Sequence, residues 1–322
     1  MQETQPSSLL HIPVLYKEVP EVLIHNSDGV YVDGTFGRGG HSRIILSKLS
    51  NQGRLIAFVR DPEAIASAKN ILDPRFSIIH APFAEMKNEL DLRSEGLVDG
   101  IFLDIGISSP QIDDPQRGFS FRFNGPLDMR MDNSCGLTAS QWLETAEEQE
   151  IAKVIKEYGE EKFASKIART IVQYREKAKL ETTEDLANLV ATVVPRNRKD
   201  QGQHPATRTF QAIRIAINDE LGQLKRALNV AGSMLKPGGI LAVISFHSLE
   251  DRIVKRFFDS MVNPARHIDP RLPLLPDQLP KALFERSSRI LPSEEEKDVN
   301  PRARSSVMRF ARRTSEPWRE TK

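Results

Sequence analysis

The sequence predicts an α/β fold: an open, mostly parallel sheet with a helical domain inserted into it. Three observations predict it. Short apolar runs alternate with helical patterns through the first third of the chain. A glycine-rich turn, with Gly34, Gly37, Gly39 and Gly40 following Asp33, links the first such run to a helix. A long purely helical stretch then intervenes before strand signals resume near Ile240.

In chain order, Val30–Val32 reads as the first strand, ending at Asp33, and Ser42–Leu49 as the helix beyond the glycines. Arg54–Val59, Phe76–His80 and Gly100–Ile105 are further apolar runs of strand length. Between them Glu63–Ile71 is helical, with Asp61 as N-cap and Pro62 at the first helical position. Thr138–Lys177 is strongly helical, opening on a Thr138 to Gln141 capping-box spacing and carrying Ile151, Val154 and Ile155 on one face. A second helix covers about Thr183 to Val193 and ends before Pro195. Thr209–Leu235 reads as one long helix closed by Pro237, Gly238 and Gly239. Ile240–Phe246 follows as a buried strand, and Glu250–Phe258 as a helix. A polar, proline-rich stretch spans about 263–301, and Ser305–Ala311 supplies a last, antiparallel strand. The expected division is a core in two parts, 1–112 and 205–322, with the insertion at 113–204.

Composition narrows the class. A chain of 322 residues with 39% hydrophobic and 28% charged residues is that of a folded globular protein of about two domains. Its net charge of +1 selects no partner. Cys135 is the single cysteine, so neither a disulfide framework nor a thiolate metal cluster is expected, and the histidines lack ligand spacing. The start, MQETQPSSLLHIP, lacks the basic and apolar segments of a signal peptide, and no apolar run has membrane-spanning length. A cytoplasmic location is therefore expected.

The glycine turn raises the question of a cofactor. A helix N-terminus behind a flexible turn offers free N–H groups to a bound polar molecule. The glycine spacing does not match the nicotinamide pattern, and Val59 stands where an acidic partner is wanted. Asp33 directly before the glycines is typical of folds that bind S-adenosylmethionine. A turn of this kind alone also serves packing.

Further segments add to it. They are HIPVLYKEV at 11–19, GRGGHS at 37–42, LDIGISSPQIDDPQRGFSF at 103–121 and GPLDMRMD at 125–132. HPATRTFQAIRIAIN at 204–218, ISFHSLEDRIVK at 244–255 and NPRARSSVMR at 300–309 complete the series. In this order they resemble the bacterial ribosomal RNA small subunit methyltransferase H family, which methylates N4 of a cytidine in small-subunit ribosomal RNA. The resemblance covers about His11 to Arg313. It implies a class I, Rossmann-like S-adenosylmethionine-dependent methyltransferase sheet whose helical insertion recognises substrate. It also implies S-adenosyl-L-methionine as donor, a decoding-region cytidine as target and the assembled small ribosomal subunit as partner. The family's donor-binding positions fall on Gly39, Gly40, His41, Phe83, Asp104 and Gln111, and on Val59, where the family has an acidic residue for the ribose hydroxyls.

Each position has a physical reason. The glycines admit the backbone to the methionine moiety, Phe83 can pack on adenine, and Gln111 can both donate and accept. Asp104 is the expected catalytic centre, with Ser108, Ser109 and Pro110 shaping a cytosine pocket and Asp128 and Asp132 as further candidates. Asp128 and Asp132 serve equally well as loop caps, with Arg130 as a partner. His247 faces substrate or is a satisfied strand-end histidine; His204 and Arg208 open a helix near the active face. Arg302, Arg304, Arg309, Arg312 and Arg313 form one basic cluster, and Arg196, Arg198 and Lys199 another, both suited to RNA phosphates. The insertion also offers a surface for a homodimer. Three rivals remain: a ribosome-binding factor with weakened or lost catalysis, marked by Val59; a DNA amino-methyltransferase; and a nicotinamide oxidoreductase.

Overall fold

The structure, a computed structural model, describes residues 12–195, 204–269, 271–272, 275 and 278–319. Arg196, Arg198 and Lys199 lie outside the described residues. The elements run α1 (Glu18–Leu23), β1 (Val30–Asp33), α2 (Gly40–Lys48), β2 (Arg54–Val59), α3 (Pro62–Ala68), β3 (Phe76–His80), α4 (Met86–Leu92), β4 (Val98–Asp104) and α5 (Ser109–Asp113). Then come α6 (Ala139–Thr145), α7 (Glu148–Gly159), α8 (Ala164–Arg175), α9 (Thr183–Val193), α10 (Thr207–Asn218), α11 (Glu220–Met234), β5 (Leu235–Ser245) and α12 (Ser248–Val262). The chain closes with β6 (Ser288–Ile290), α13 (Glu294–Val299) and β7 (Val307–Arg312). It divides into two compact units.

The sheet unit comprises Met1–Val59, Glu63–Ile105 and Leu224–Lys322. Its seven strands lie in the order β3-β2-β1-β4-β5-β7-β6. Strands β1 to β5 pair in parallel, while β7 is antiparallel to both β5 and β6. A parallel strand is buried on both faces and so reads as a continuous apolar run. In β4, Ile101 and Leu103 join one core cluster with Val32 and Val243, and Phe102 joins the other with Tyr31 and Ile244. The strand order reverses between β1 and β4, and open α/β sheets bind ligands at that crevice, beyond the carboxyl ends.

Two expectations are corrected here. Pro237, Gly238 and Gly239 do not close a helix but lie within β5. Their excess length is taken up as an irregularity: pairing passes from Val98–Leu235 to Gly100–Ile240, with Gly238 at φ +84°. The expected long helix from Thr209 is two helices, broken where Asp219 turns left-handed at φ +48°.

The helical unit comprises Arg60–Pro62 and Gly106–Gln223, against the expected 113–204. The stretch read as helical from Thr138 to Lys177 is three helices, with Glu160 left-handed after α7. The Thr138 capping box forms as its spacing requires, each partner's side chain bonding the other's backbone N–H. Leu143, Ile151, Ile155, Ile167, Ile171, Leu186, Val190 and Phe210 fill the core of this unit. At Gly159 a Cβ would stand 2.6 Å from the Arg208 carbonyl oxygen, so only glycine lets α7 approach α10 this closely. Among the described residues no helix is long and apolar enough to cross a membrane.

Candidate active site

The crevice begins where β1 ends. Asp33 is fully buried, and its carboxylate accepts from Ser42 Oγ at 2.6 Å and from the Thr35 N–H at 3.0 Å. These bonds tie the strand end to the first turn of α2. Burial pushes the Asp33 carboxyl above its usual range; the Ser42 and Thr35 hydrogen bonds and His41 oppose that, while Asp104 adds to it. Gly34 donates its N–H to the Phe102 carbonyl at 2.9 Å, bringing the turn against β4. A Cβ at Gly34 would lie 2.4 Å from Leu103 Cδ2 and 3.1 Å from Phe83 Cβ. Half-buried Phe83, one turn after β3, therefore stands over the tip of β1. Gly39 caps α2 at φ +81°, a left-handed conformation that favours glycine. Gly40 begins the helix against the ring of Pro13.

His41 points inward, with its side chain 7% exposed. Its Nε2 lies 2.8 Å from the Val14 carbonyl oxygen, and its Nδ1 lies 3.3 Å from Asp104 Oδ2. Asp104 ends β4; its backbone N–H donates to Thr35 Oγ1 at 2.6 Å. The other carboxylate oxygen, Oδ1, is buried and has no hydrogen-bond partner among the described residues. A buried acceptor in want of a donor suits the cationic groups of S-adenosylmethionine.

Val59 closes β2, is 5% exposed and packs with Phe36, Ala57, Ala64 and Ala68. It offers no acceptor. The sheet residues therefore present an unpartnered carboxylate oxygen and a half-buried aromatic ring at the strand ends, and no acceptor at Val59.

Gln111 belongs to the helical unit. Its Oε1 accepts from the Ser108 N–H in the capping box of α5, and its Nε2 donates to Asp61 Oδ2 at 3.0 Å. Helix α3 starts at Pro62 as its sequence predicts, and the Asp61 carboxylate before it carries an ion pair as well. It forms an ion pair at 3.0 Å with Arg117, the two side chains being 8% and 5% exposed. Arg117 also donates to the carbonyls of Arg130 and Met131. Asn218 holds the same loop, accepting from the Met131 N–H and donating to the Met129 carbonyl. Sequence reasoning missed Arg117 and Asn218; the one signal was an isolated arginine inside the motif 103–121.

Several candidates have local roles instead. Asp128 takes the Arg130 guanidinium in a bidentate pair, and Asp132 accepts from the Ser134 N–H. His247 caps α12, with Nε2 3.0 Å from fully buried Glu250. His204 accepts from the Ala206 N–H and its ring packs 4.7 Å from that of Phe121; Arg208 is exposed. The terminal basic cluster is largely structural. Arg309 chelates Asp251, Arg312 donates to the Gly238 carbonyl, and buried Arg313 donates to that of Leu283. Arg302 stacks over Phe246, and Arg304 remains exposed. Among the described residues no group of three or more His, Cys, Asp or Glu is placed to hold a metal ion.

The model of the MraW methylase family matches residues 8–314. A ribosomal RNA small subunit methyltransferase H from Cupriavidus metallidurans is 54% identical over 317 residues, covering 96% of both chains. One from Burkholderia thailandensis is 52% identical over 313 residues, covering 96% of this chain and 99% of its own. A solved rRNA methylase from Streptococcus thermophilus shares 10% identity over 93% of both chains at a TM-score of 0.39, too remote to bear on the site. With the family model spanning almost the whole chain, and relatives matching it end to end, the chain belongs to the MraW methylase family.

Proposed function

We propose that this protein transfers a methyl group from S-adenosyl-L-methionine to the exocyclic N4 of a cytidine in the decoding region of small-subunit ribosomal RNA, within the assembled subunit. The match to methyltransferases of that name along 96% of this chain carries the reading. The class I sheet, with the glycine turn and Asp104 at its switch point, supports it. A ribosomal substrate also supports a cytoplasmic location.

When bound, the donor supplies an electrophilic methyl on a sulfonium. Its transfer to the cytosine N4 would move positive charge from sulfur to nitrogen and leave a proton to be taken from N4. A carboxylate at Asp104 faces a cation at both ends of that path, so it stabilises the transfer and offers an acceptor for the N4 proton. Gly34, Gly39 and Gly40 let the turn pack directly against Leu103, Phe36 and Pro13, and Phe83 gives an apolar platform for the adenine. The target base leaves its stack to reach the site. Val59 weakens donor binding without abolishing it.

The test is transfer of labelled methyl from S-adenosylmethionine to small subunits lacking the modification. The native chain should label one cytidine at N4, and Asp104→Asn should slow the transfer by roughly 10²-fold or more. Label on another nucleotide, or full activity of Asp104→Asn, would overturn the assignment.

A further inference from the structure

The inward-facing histidine of the glycine turn has no free ring atom. Nε2 faces the Val14 carbonyl, which only accepts, so this nitrogen carries a hydrogen. Nδ1 faces Asp104 Oδ2, also an acceptor when ionised. A neutral ring would turn a lone pair on the carboxylate. The geometry is satisfied when both ring nitrogens donate. We infer that His41 is a positioning residue, held as a buried imidazolium that donates to Val14 and to Asp104 Oδ2, so that the Asp104 carboxylate is held with Oδ1 presented to the cationic methyl donor.

The surroundings agree. Asp33, fully buried at the end of β1, is the second carboxyl acting on the ring, and the Phe102 ring packs on the imidazole at 4.7 Å. Burial disfavours the charge on His41, but Asp104, the Val14 carbonyl and Asp33 outweigh it, so its pKa is raised. A raised histidine pKa means the charged form is retained from low pH upward and lost as pH rises through the folded value. Above it, Nδ1 no longer donates and repels Oδ2. Donor binding then weakens on the alkaline side.

This inference rests on the methyltransferase reading and deepens it. The probe is S-adenosylhomocysteine, measured by calorimetry from about pH 6.5 to about pH 9.5, across the window opened by a histidine raised from its ordinary value. Two variants separate the contacts. In His41→Asn the side-chain amide reaches the place of Nδ1 and keeps donating to Asp104 without titrating. In His41→Gln it reaches the place of Nε2, keeping Val14 and losing Asp104. Native affinity should fall roughly tenfold more than that of His41→Asn across the range, the loss of about one charge-assisted hydrogen bond. His41→Gln should be weak throughout. The amino group of the ligand titrates equally in all three, so the difference reports His41. Equal slopes for the native chain and His41→Asn, or native affinity in His41→Gln, would refute the inference. Absence of binding by the native chain at any pH would remove the methyltransferase reading itself. Should the variants fail to fold, the side-chain nitrogen shifts of His41 in the native protein decide: both nitrogens protonated near neutral pH supports the imidazolium, and a neutral tautomer overturns it.

Discussion

On the proposed donor site, replacing Val59 by aspartate puts an acceptor at the end of β2 for the ribose hydroxyls. Val59 is 5% exposed among Phe36, Ala57, Ala64 and Ala68, and the native side chain offers no acceptor. A hydrogen bond to a charged acceptor is worth about 1.5–3 kcal/mol, which is roughly 10- to 150-fold in affinity. Without donor the same carboxylate faces an apolar wall, and burying a poorly paired polar group costs about 1–3 kcal/mol in proteins. The unliganded variant should therefore melt lower than the native chain, yet gain more from added donor. Calorimetry with S-adenosylhomocysteine gives the affinities, and melting curves with and without it give the offset. Val59→Leu keeps the site apolar and should leave affinity within about twofold of native, since it makes no new hydrogen bond. A folded Val59→Asp protein with an unchanged dissociation constant would show that the ribose is held elsewhere.

Three further outcomes follow from the packing. Arg117→Met leaves Asp61 facing an apolar chain in the interior of the helical unit, and should cost about 3–5 kcal/mol in urea unfolding. The double variant Asp61→Asn, Arg117→Met should lose less than the sum of its parts, and strict additivity would mean that the pair does not interact. Gly34→Ala drives a Cβ into Leu103 and Phe83, costing about 1–3 kcal/mol and weakening donor affinity severalfold; a variant indistinguishable from native by both measures would remove Gly34 from the site. Asp99 is 8% exposed: burial raises its pKa, but Lys236 at 2.7 Å and the Val30 N–H outweigh that and hold it low. A depressed carboxyl stabilises above its unfolded pKa and loses that contribution as pH falls through the folded value. Urea midpoints of the native chain should therefore drop more steeply between about pH 5 and about pH 3 than those of Asp99→Asn, and parallel slopes would contradict this.

Local rules made much of this chain legible. Strands β2 and β3 occupy the very residues, Arg54–Val59 and Phe76–His80, that their apolar runs predict. Helix α9 covers the residues read for it, Thr183–Val193, and ends before Pro195. The break at Asp219 was not legible, because a left-handed aspartate costs little and leaves no mark in the apolar pattern. The strand nature of Pro237 to Gly239 was hidden too, since these residues usually end elements and here form an irregularity within one.

By itself the sequence determined the alternation of strand and helix, the glycine turn after Asp33, the helical insertion and the family. Each of those is set by periodicity, by capping over three or four residues, or by motifs read in order. The tertiary structure alone decided which charges meet. Asp61 pairs with Arg117 across 56 positions, Arg309 with Asp251 across 58, and Asp99 with Lys236 across 137. A side chain's partner is whatever the packed core brings within about 3 Å, and no local pattern encodes that distance. For that reason His41, identified from its place in a motif, took on its role only when Val14 and Asp104 closed on its two nitrogens.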